Sequence, residues 1–273
     1  MKKVDIPLVK RKDNSNDINS LINEANKLLN KNEFSLIDVN RIYNKCKHDI
    51  ELTREELIYI YDIYANRRIS NSDNNLDIIE DIKKMRKDIV KDYMIIFNCK
   101  RNQIASNIDE LLAINPANCV VYLNDINNYI DWIYGKKLSN LRYVKGYLEL
   151  HPNQERTNYK YLTSLEVIDS AAIFKYIKSS EGLYNLKVIG TTADFSELMD
   201  ASGLTSLNYI GGTAWFSRLK SANGLNNLRY IGEYDHFEGL YSLGKESFNN
   251  LESLEYVGSN ICIPKEKIKT LKR

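Results

Sequence analysis

The sequence predicts an α+β protein, in which an N-terminal helical bundle (1–115) is followed by a β-solenoid of about six coils (116–273). Two observations predict this division. In the first part, apolar residues recur at the three- and four-residue spacing of helix faces. In the second part, one motif returns about every 21 residues, as in stacked repeats. Segment 116–137, with a strand at 119–123 and a helix near 126–133, is expected to cap the stack.

Helix start signals organise the first part of the chain. An amphipathic segment covers 18–29, and further starts follow it. In three of them a Ser or Thr is followed three residues later by Asp or Glu, which resembles a capping box. The predicted starts are Ser35 (helix 35–47), Thr53 (helix 54–66), Ser72 (one longer helix reaching Ile96) and Ser106 (a short helix ended by Pro116).

Two consecutive short helices, 35–47 and 54–66, also have the order of a DNA-binding helix-turn-helix. A recognition helix needs a polar and basic outer face to reach base edges. The second helix instead reads Leu-Ile-Tyr-Ile-Tyr-Asp-Ile-Tyr over 57–64 and is apolar nearly all round. The sequence therefore favours a packing role for this helix. The basic cluster at 10–12 is interpreted as a solvated N-terminal arm.

The repeat is clearest in three successive units of the form Gly-Leu-x-x-Leu-x-x-Ile-Gly, which begin at Gly182, Gly203 and Gly224. One such unit cannot bury its own apolar side chains, whereas stacked units bury equivalent positions against each other. The leading leucines are Leu138, Leu162, Leu183, Leu204, Leu225 and Leu251. Twelve residues after them stand Leu150, Phe174, Phe195, Phe216, Phe237 and Ile263.

The strand of each coil is predicted 9 to 13 residues after the leading leucine. Alternation along a strand then turns Ala193 and Phe195 inward and Asp194 outward. In the next coil the same register turns Ala214 and Phe216 inward, with Thr213, Trp215 and Ser217 outward.

This repeat unit resembles that of bacterial leucine-rich-repeat proteins and is similar to the L-domain type of coil in receptor ectodomains. The resemblance covers roughly 138–264, about half of the chain. It implies a solenoid that recognises other proteins through its exposed strand face and adjoining loops. The sequence departs from the common pattern because it lacks the regular asparagine ladder after the strand. No family is recognised for the helical part.

A protein partner is the predicted ligand, and the outward strand positions are the candidate binding residues. An outward Trp flanked by Tyr and charged groups is typical of an interaction hot spot. Alternatively, Trp215 packs beneath the helices, or a register shift of one residue buries it. The candidates are Tyr147, Glu149, Lys175, Asp194, Trp215, Tyr234, His236 and Glu238.

The charge balance bears on the alternative partner, a nucleic acid bound by the helical half or by the groove between the halves. Residues 1–115 hold 20 Lys and Arg against 19 Asp and Glu, and residues 116–273 hold 18 against 17. Neither half has the basic excess that usually accompanies binding to phosphates. The 19 tyrosines would allow stacking on bases, although most of them fall at core-like positions.

Catalysis, cofactors and metal ions are not expected. The chain has three histidines, His48, His151 and His236, and no phosphate-loop, dinucleotide or metalloprotease motif. Its four cysteines form no C-x-x-C pair, which favours reduced thiols in a cytoplasm, of the protein's own cell or of a host. No segment has the apolar length of a membrane span. A non-enzymatic inhibitor or effector acting on a host protein, encoded by a phage or a bacterium, is the specific form of the binding hypothesis.

Overall fold

A computed structural model describes residues 38–70, 75–123, 138–149, 162–233, 235–258, 262–264 and 268. Several predicted features lie outside these residues. They are the arm at 10–12, the segment 18–29, Ser35, Ser72, the capping helix near 126–133, Leu150, His151 and Tyr234.

Helices precede the solenoid, as the sequence predicts. Their bounds are α1 (Val39–Lys47), α2 (Arg54–Tyr61), α3 (Asn66–Ser70), α4 (Leu76–Met85), α5 (Ile89–Phe97) and α6 (Ile108–Ile114). The capping box at Thr53 and Glu56 is confirmed, because each side chain accepts the other residue's backbone amide. Helix α2 is indeed a packing helix, since Leu57, Ile58 and Ile60 are buried.

Two helix starts differ from the prediction. Helix α1 begins at Val39 and is capped by Asp38, whose side chain accepts a hydrogen bond from the Arg41 amide; the predicted start, Ser35, lies outside the described residues. Helix α6 is capped by Asn107, which accepts from the Glu110 amide, and not by Ser106. Asn and Asp cap helices as well as Ser does, so neighbouring candidates are not separable by residue type alone.

The single long helix predicted over 72–96 is two helices. Helix α4 ends at Met85 with Arg86 as its C-cap, and α5 is capped by Asp88. The break lets the Arg86 guanidinium turn back to the carboxylate of Asp92, which is fully buried and also accepts from the Tyr61 hydroxyl at 2.8 Å. A buried charge needs such partners. The spacing of apolar residues, from which one long helix was predicted, does not indicate this ion pair.

Two parallel sheets form the solenoid. Sheet A has eight strands in the order β1 (Ile104–Ala105), β2 (Val121–Tyr122), β3 (Tyr143–Val144), β5 (Val167–Ile168), β7 (Val188–Ile189), β9 (Tyr209–Ile210), β11 (Tyr230–Ile231) and β13 (Tyr256–Val257). Sheet B has five strands, β4 (Leu148–Glu149), β6 (Ala172–Ile173), β8 (Ala193–Asp194), β10 (Ala214–Trp215) and β12 (Asp235–His236). The second strand of each coil is the one that the sequence predicts.

The α+β class is confirmed, with about five turns instead of six. The last repeat supplies β13 to sheet A, but the described part of 251–264 supplies no strand to sheet B. Between β12 and β13 the chain forms a helix, α7 (Glu238–Leu243), and a 3-10 turn, Lys245–Phe248. At the other end, Leu111 of α6 packs into the solenoid core. The domain boundary at residue 115 stays a prediction.

The stacked ladders are confirmed. Phe174, Phe195, Phe216 and Phe237 are fully buried. Their successive ring centroids lie 5.4, 5.2 and 4.9 Å apart. Gly211 follows the isoleucine of its coil and closes the turn: a Cβ there would lie 1.9 Å from the Gly190 carbonyl oxygen of the coil before it. The coils therefore stack backbone on backbone at this turn.

Sheet A has an apolar layer on each face. In β7, the side chain of Ile189 lies in the solenoid core, and that of Val188 lies in a second core with the helices. The same division holds from β1 to β9, so the helices cover the outer face of these strands. The two consecutive apolar residues of each strand are typical of a sheet that is buried on both sides.

A polar cluster centred on Glu166 ties the helices to the solenoid. Glu166 accepts from Arg142 at 2.6 Å, from Lys187 at 2.9 Å and from the Tyr64 hydroxyl at 3.0 Å. Arg142 also donates to the Phe97 carbonyl oxygen at 3.0 Å. Burial on its own would raise the pKa of Glu166, but Lys187 and Arg142 outweigh burial and hold this pKa below its ordinary value.

We expect Phe216→Ala to lower the free energy of unfolding by roughly 3–5 kcal/mol, because it opens a cavity in the phenylalanine ladder. Trp215→Ala removes a side chain that is 38% exposed and should cost far less. Thermal and chemical denaturation of the two variants checks this. Equal losses, or a larger loss for Trp215→Ala, would contradict the register.

We expect Glu166→Gln to lower the free energy of unfolding by roughly 1–3 kcal/mol, because the Arg142 and Lys187 charges lose their counterion. Since the pKa of Glu166 is lowered, its contribution is complete above the ordinary value of 4.5 and is lost as the pH falls below it. Denaturation at several pH values measures this difference. Tyr64→Phe, which removes one neutral donor, is the control; a pH-independent difference between Glu166→Gln and wild type would argue against the cluster.

Candidate functional site

The outer face of sheet B is the candidate site. Its central row contains one outward side chain from each strand, in register across the sheet. Glu149 of β4 pairs with Ile173 of β6, then Asp194 of β8, Trp215 of β10 and His236 of β12. We call these five residues the sheet B row. The helices pack on sheet A, so the alternative in which Trp215 lies beneath them is wrong.

Trp215 and His236 form a stacked aromatic pair. Their ring centroids are 3.8 Å apart and their planes differ by 3°. Trp215 is 38% exposed, whereas His236 is partly buried. His236 Nδ1 lies 3.0 Å from Glu238 Oε1, so the carboxylate orients the imidazole. Trp215, His236 and Glu238, three of the predicted site residues, therefore lie together at one end of the row.

Glu238 stays ionised over a wide pH range. Partial burial would raise its pKa, but the hydrogen bonds of its carboxylate, including that with His236, outweigh burial and lower this pKa. The aromatic pair therefore has a carboxylate next to His236.

Asp194 occupies the middle of the row with small polar neighbours. Its Oδ1 accepts hydrogen bonds from the Ser196 amide at 3.1 Å and from the Ser196 hydroxyl. Within the part of the chain that the structure describes, its Oδ2 accepts no hydrogen bond. Thr192 and Ser196, before and after it on the outer side of the same strand, are short. The side chains on this strand therefore extend less far from the sheet than the indole of Trp215 does.

The remaining predicted residues lie toward the other end of the row. Lys175 lies 4.9 Å from the centroid of the Tyr176 ring, and Tyr176 raises the pKa of Lys175, with smaller contributions from Glu149 and Asp194. Tyr147 and Glu149 are half-buried beside β4. Because β4 is three strands from β10, they are roughly 14 Å from Trp215. The structure thus places three candidates at each end of the row and Asp194 between them, and Tyr234 lies outside the described residues.

Other side chains near the face are missed by the sequence prediction. Tyr176 is 41% exposed and Met199 is 36% exposed, and both follow strands of sheet B. They fall outside the strand segment that the prediction considered. Thr213, predicted to point outward, is only 9% exposed, and its hydroxyl donates to Glu233 at 3.3 Å. Arg218, which follows Trp215, is paired with Glu197 at 2.7 Å.

Asp235 closes sheet B at the end that carries Trp215. It occupies the inward position that Ala172, Ala193 and Ala214 fill in earlier coils, and it is 4% exposed. Its Oδ1 accepts from the Cys262 amide at 2.7 Å, while its Oδ2 is buried without a hydrogen-bond partner. Burial raises the pKa of Asp235. This carboxylate anchors the last described stretch of chain to β12.

The cysteines give no sign of reactive thiols. Burial raises the pKa of Cys46 and of Cys99, and it raises those of Cys119 and Cys262 to about 12. All four are unpaired. No three His, Cys, Asp or Glu side chains of the described residues converge on a metal position. Of the described helices, none combines the length and the apolar character that crossing a bilayer requires.

A shallow groove of about 530 Å³ lies at the far end of sheet A, beside β1. One of its cations is already engaged: Arg101 donates to the Ile104 carbonyl oxygen at 2.9 Å and lies 3.9 Å from Glu110. Arg101 therefore covers the edge of the sheet. The groove is lined by Lys100, Arg101, Asn102, Glu110, Ala113 and Ile114.

Comparisons with protein-family models, with curated proteins and with solved structures give no match for this chain.

We expect Asp235→Asn to keep or raise the free energy of unfolding at neutral pH, because the amide oxygen still accepts from Cys262 and no charge is buried. Asp235→Ala should lower it by about 1–3 kcal/mol, since the Cys262 amide loses its acceptor. Denaturation of both variants tests this. The pKa of Asp235 is raised, so the wild type should gain stability relative to Asp235→Asn as the pH falls toward 3.8, the ordinary value of an aspartate. An Asn variant less stable than the Ala variant would contradict this account.

Proposed function

We propose that this protein binds another protein through the outer face of sheet B, without catalysing a reaction. One observation carries the proposal: the helices cover the outer face of sheet A, whereas the outer face of sheet B displays an ordered aromatic pair to solvent. Exposed Trp side chains are enriched at the energetic centres of protein interfaces. Parallel strands also hold the row rigidly, so little conformational entropy is lost on binding.

We further infer that the coils are a variant of the leucine-rich-repeat fold. The 21-residue period, the leucine and phenylalanine ladders and the parallel strands support this. In that fold, recognition uses an exposed strand face, which agrees with a role for sheet B. A cytoplasmic inhibitor or effector that disables a host protein is one form of this function, and it would use the same face.

Nucleic acid remains the alternative partner. The balanced charge of the chain makes this alternative weaker than protein binding. Cations near the solenoid strands are largely neutralised: Lys187 and Arg142 pair with Glu166, Arg218 with Glu197, and Arg229 with Glu255. Binding to phosphates releases counterions and weakens steeply with salt. A salt titration with DNA and RNA therefore separates this alternative from protein binding.

The test is affinity purification from the native host with quantitative mass spectrometry, followed by calorimetry with the purified partner. The bait is the full chain as wild type, as Trp215→Ala/His236→Ala, and as a control, Ile50→Ala/Leu112→Ala, which removes exposed apolar side chains from the helical part. We expect the control to bind like the wild type, and the face variant to weaken binding at least about thirtyfold, as loss of a hot spot does. Equal affinities for all three baits would reject the proposal, as would salt-sensitive binding of nucleic acid that is tighter than any protein binding.

A further inference from the structure

We propose that the sheet B row contains a site for the guanidinium group of an arginine side chain, formed by the free face of Trp215 and the carboxylate of Asp194. This inference rests on the proposed function, because the arginine belongs to the bound partner. It adds the chemistry that the partner must present. The partner segment is expected to place one arginine over β8, against β10.

The orientation of Trp215 leaves one face of the indole available. Its two neighbours in the row are His236 on one side and Asp194 on the other. The indole and imidazole planes are parallel within 3°, with centroids 3.8 Å apart, so the rings overlap face to face with little offset. The opposite face of the indole is consequently turned toward Asp194.

Space exists beside that face. Neighbouring strands of a sheet are roughly 4.8 Å apart, and an aspartate side chain is much shorter than an indole. Thr192 and Ser196, the outward neighbours of Asp194 on its own strand, are also short. A flat group that enters above Asp194 can therefore stack on the outer part of the indole. A planar guanidinium stacks on aromatic faces more favourably than a compact ammonium group does.

Asp194 supplies the opposite charge. Oδ1 is held by Ser196, which fixes the orientation of the carboxylate. Oδ2 has no hydrogen bond from the described residues and remains an acceptor. A guanidinium above β8 would donate to Oδ2 while it stacks on Trp215. Charge-assisted hydrogen bonds of this type are about twice as strong as neutral ones.

The chain's own nearby cations do not fill this place. Lys175 lies over the ring of Tyr176, and Arg218 is paired with Glu197. Of the described Lys and Arg side chains, none stacks on Trp215; the stacked cations lie over tyrosine rings and over Phe97. His236, on the other face, is orientated by Glu238. Lys175 attracts Asp194 without a hydrogen bond to it, so the donor to Oδ2 is expected to come from the bound partner.

The experiment titrates the full chain, with ¹⁵N-labelled tryptophan, with Nα-acetyl-arginine-N-methylamide, and follows the indole N–H signals by NMR. The neutral, nearly isosteric citrulline derivative and the lysine derivative are the comparison ligands. We expect a saturable shift of the Trp215 signal with the arginine derivative, and binding of the citrulline derivative that is about tenfold weaker or absent. Trp215→Phe assigns the signal among the chain's two tryptophans. Equal shifts with the arginine and citrulline derivatives would overturn the proposal.

Asp194→Asn isolates the contribution of the carboxylate. It should weaken binding of the arginine derivative about three- to tenfold. Glu252→Gln, which removes the same charge from an exposed turn in the last repeat, should bind like the wild type. If Asp194→Asn binds the arginine derivative as tightly as the wild type does, the proposal is also overturned.

The two proposals fail in different ways. If Trp215→Ala/His236→Ala loses the partner while the arginine derivative fails to bind the wild type, the face is functional and the arginine site is wrong. If that double variant keeps the partner, the proposed function is wrong, and the titration with the arginine derivative still decides whether the site exists.

Discussion

The architecture depends on strands of sheet A that face two hydrophobic cores at once. In each strand from β1 to β9, one residue points into the helices and the next residue points into the solenoid, as Val188 and Ile189 do. Burial of both faces makes the helical part and the solenoid mutually dependent, because either core exposes apolar surface without the other. The Glu166 cluster adds orientation to this contact, since its hydrogen bonds fix which helix residues meet which coils. Of the described residues, the helices thereby cover sheet A and leave the outer face of sheet B exposed.

The sequence predicts what repeats, because repetition is visible without knowledge of neighbours. The leucine and phenylalanine ladders, the sheet B strands and the outward position of Trp215 all follow from the 21-residue period. Of sheet A, only β2 was predicted, as the capping strand at 119–123, although the Val-Ile or Tyr-Ile pairs of later strands repeat equally well. Two adjacent apolar residues can both be buried only if something covers the second face, and the helices that do so are distant in sequence. The burial of the second face therefore depends on tertiary contacts that a local repeat pattern does not show.

Side-chain hydrogen bonds account for most other differences. The helix predicted over 72–96 divides because the carboxylate of Asp92 binds Arg86, a contact with no periodic signature. The missing asparagine ladder is a similar case. Asn185 and Asn227 do bond neighbouring coils, through carbonyl oxygens of Thr163 and Thr205 at 2.6 Å, but they occupy the turn before sheet A in alternate coils. Their residue type agrees with the leucine-rich-repeat pattern, whereas their position does not.

The candidate site lies on the surface of the coils, where equivalent positions no longer hold similar residues. Identical or similar residues stack through the interior of the coils, yet the sheet B row runs from a carboxylate to an aliphatic residue, a second carboxylate and two aromatic rings along its five strands. A row that served only to solvate the sheet would need no Trp, whose exposure in water is unfavourable. His236 covers one face of that indole, and β12 is the last strand of sheet B, so the stack cannot continue beyond the imidazole. The only face of Trp215 that can take up a further group is therefore the one above Asp194, where an aromatic surface and a negative charge meet.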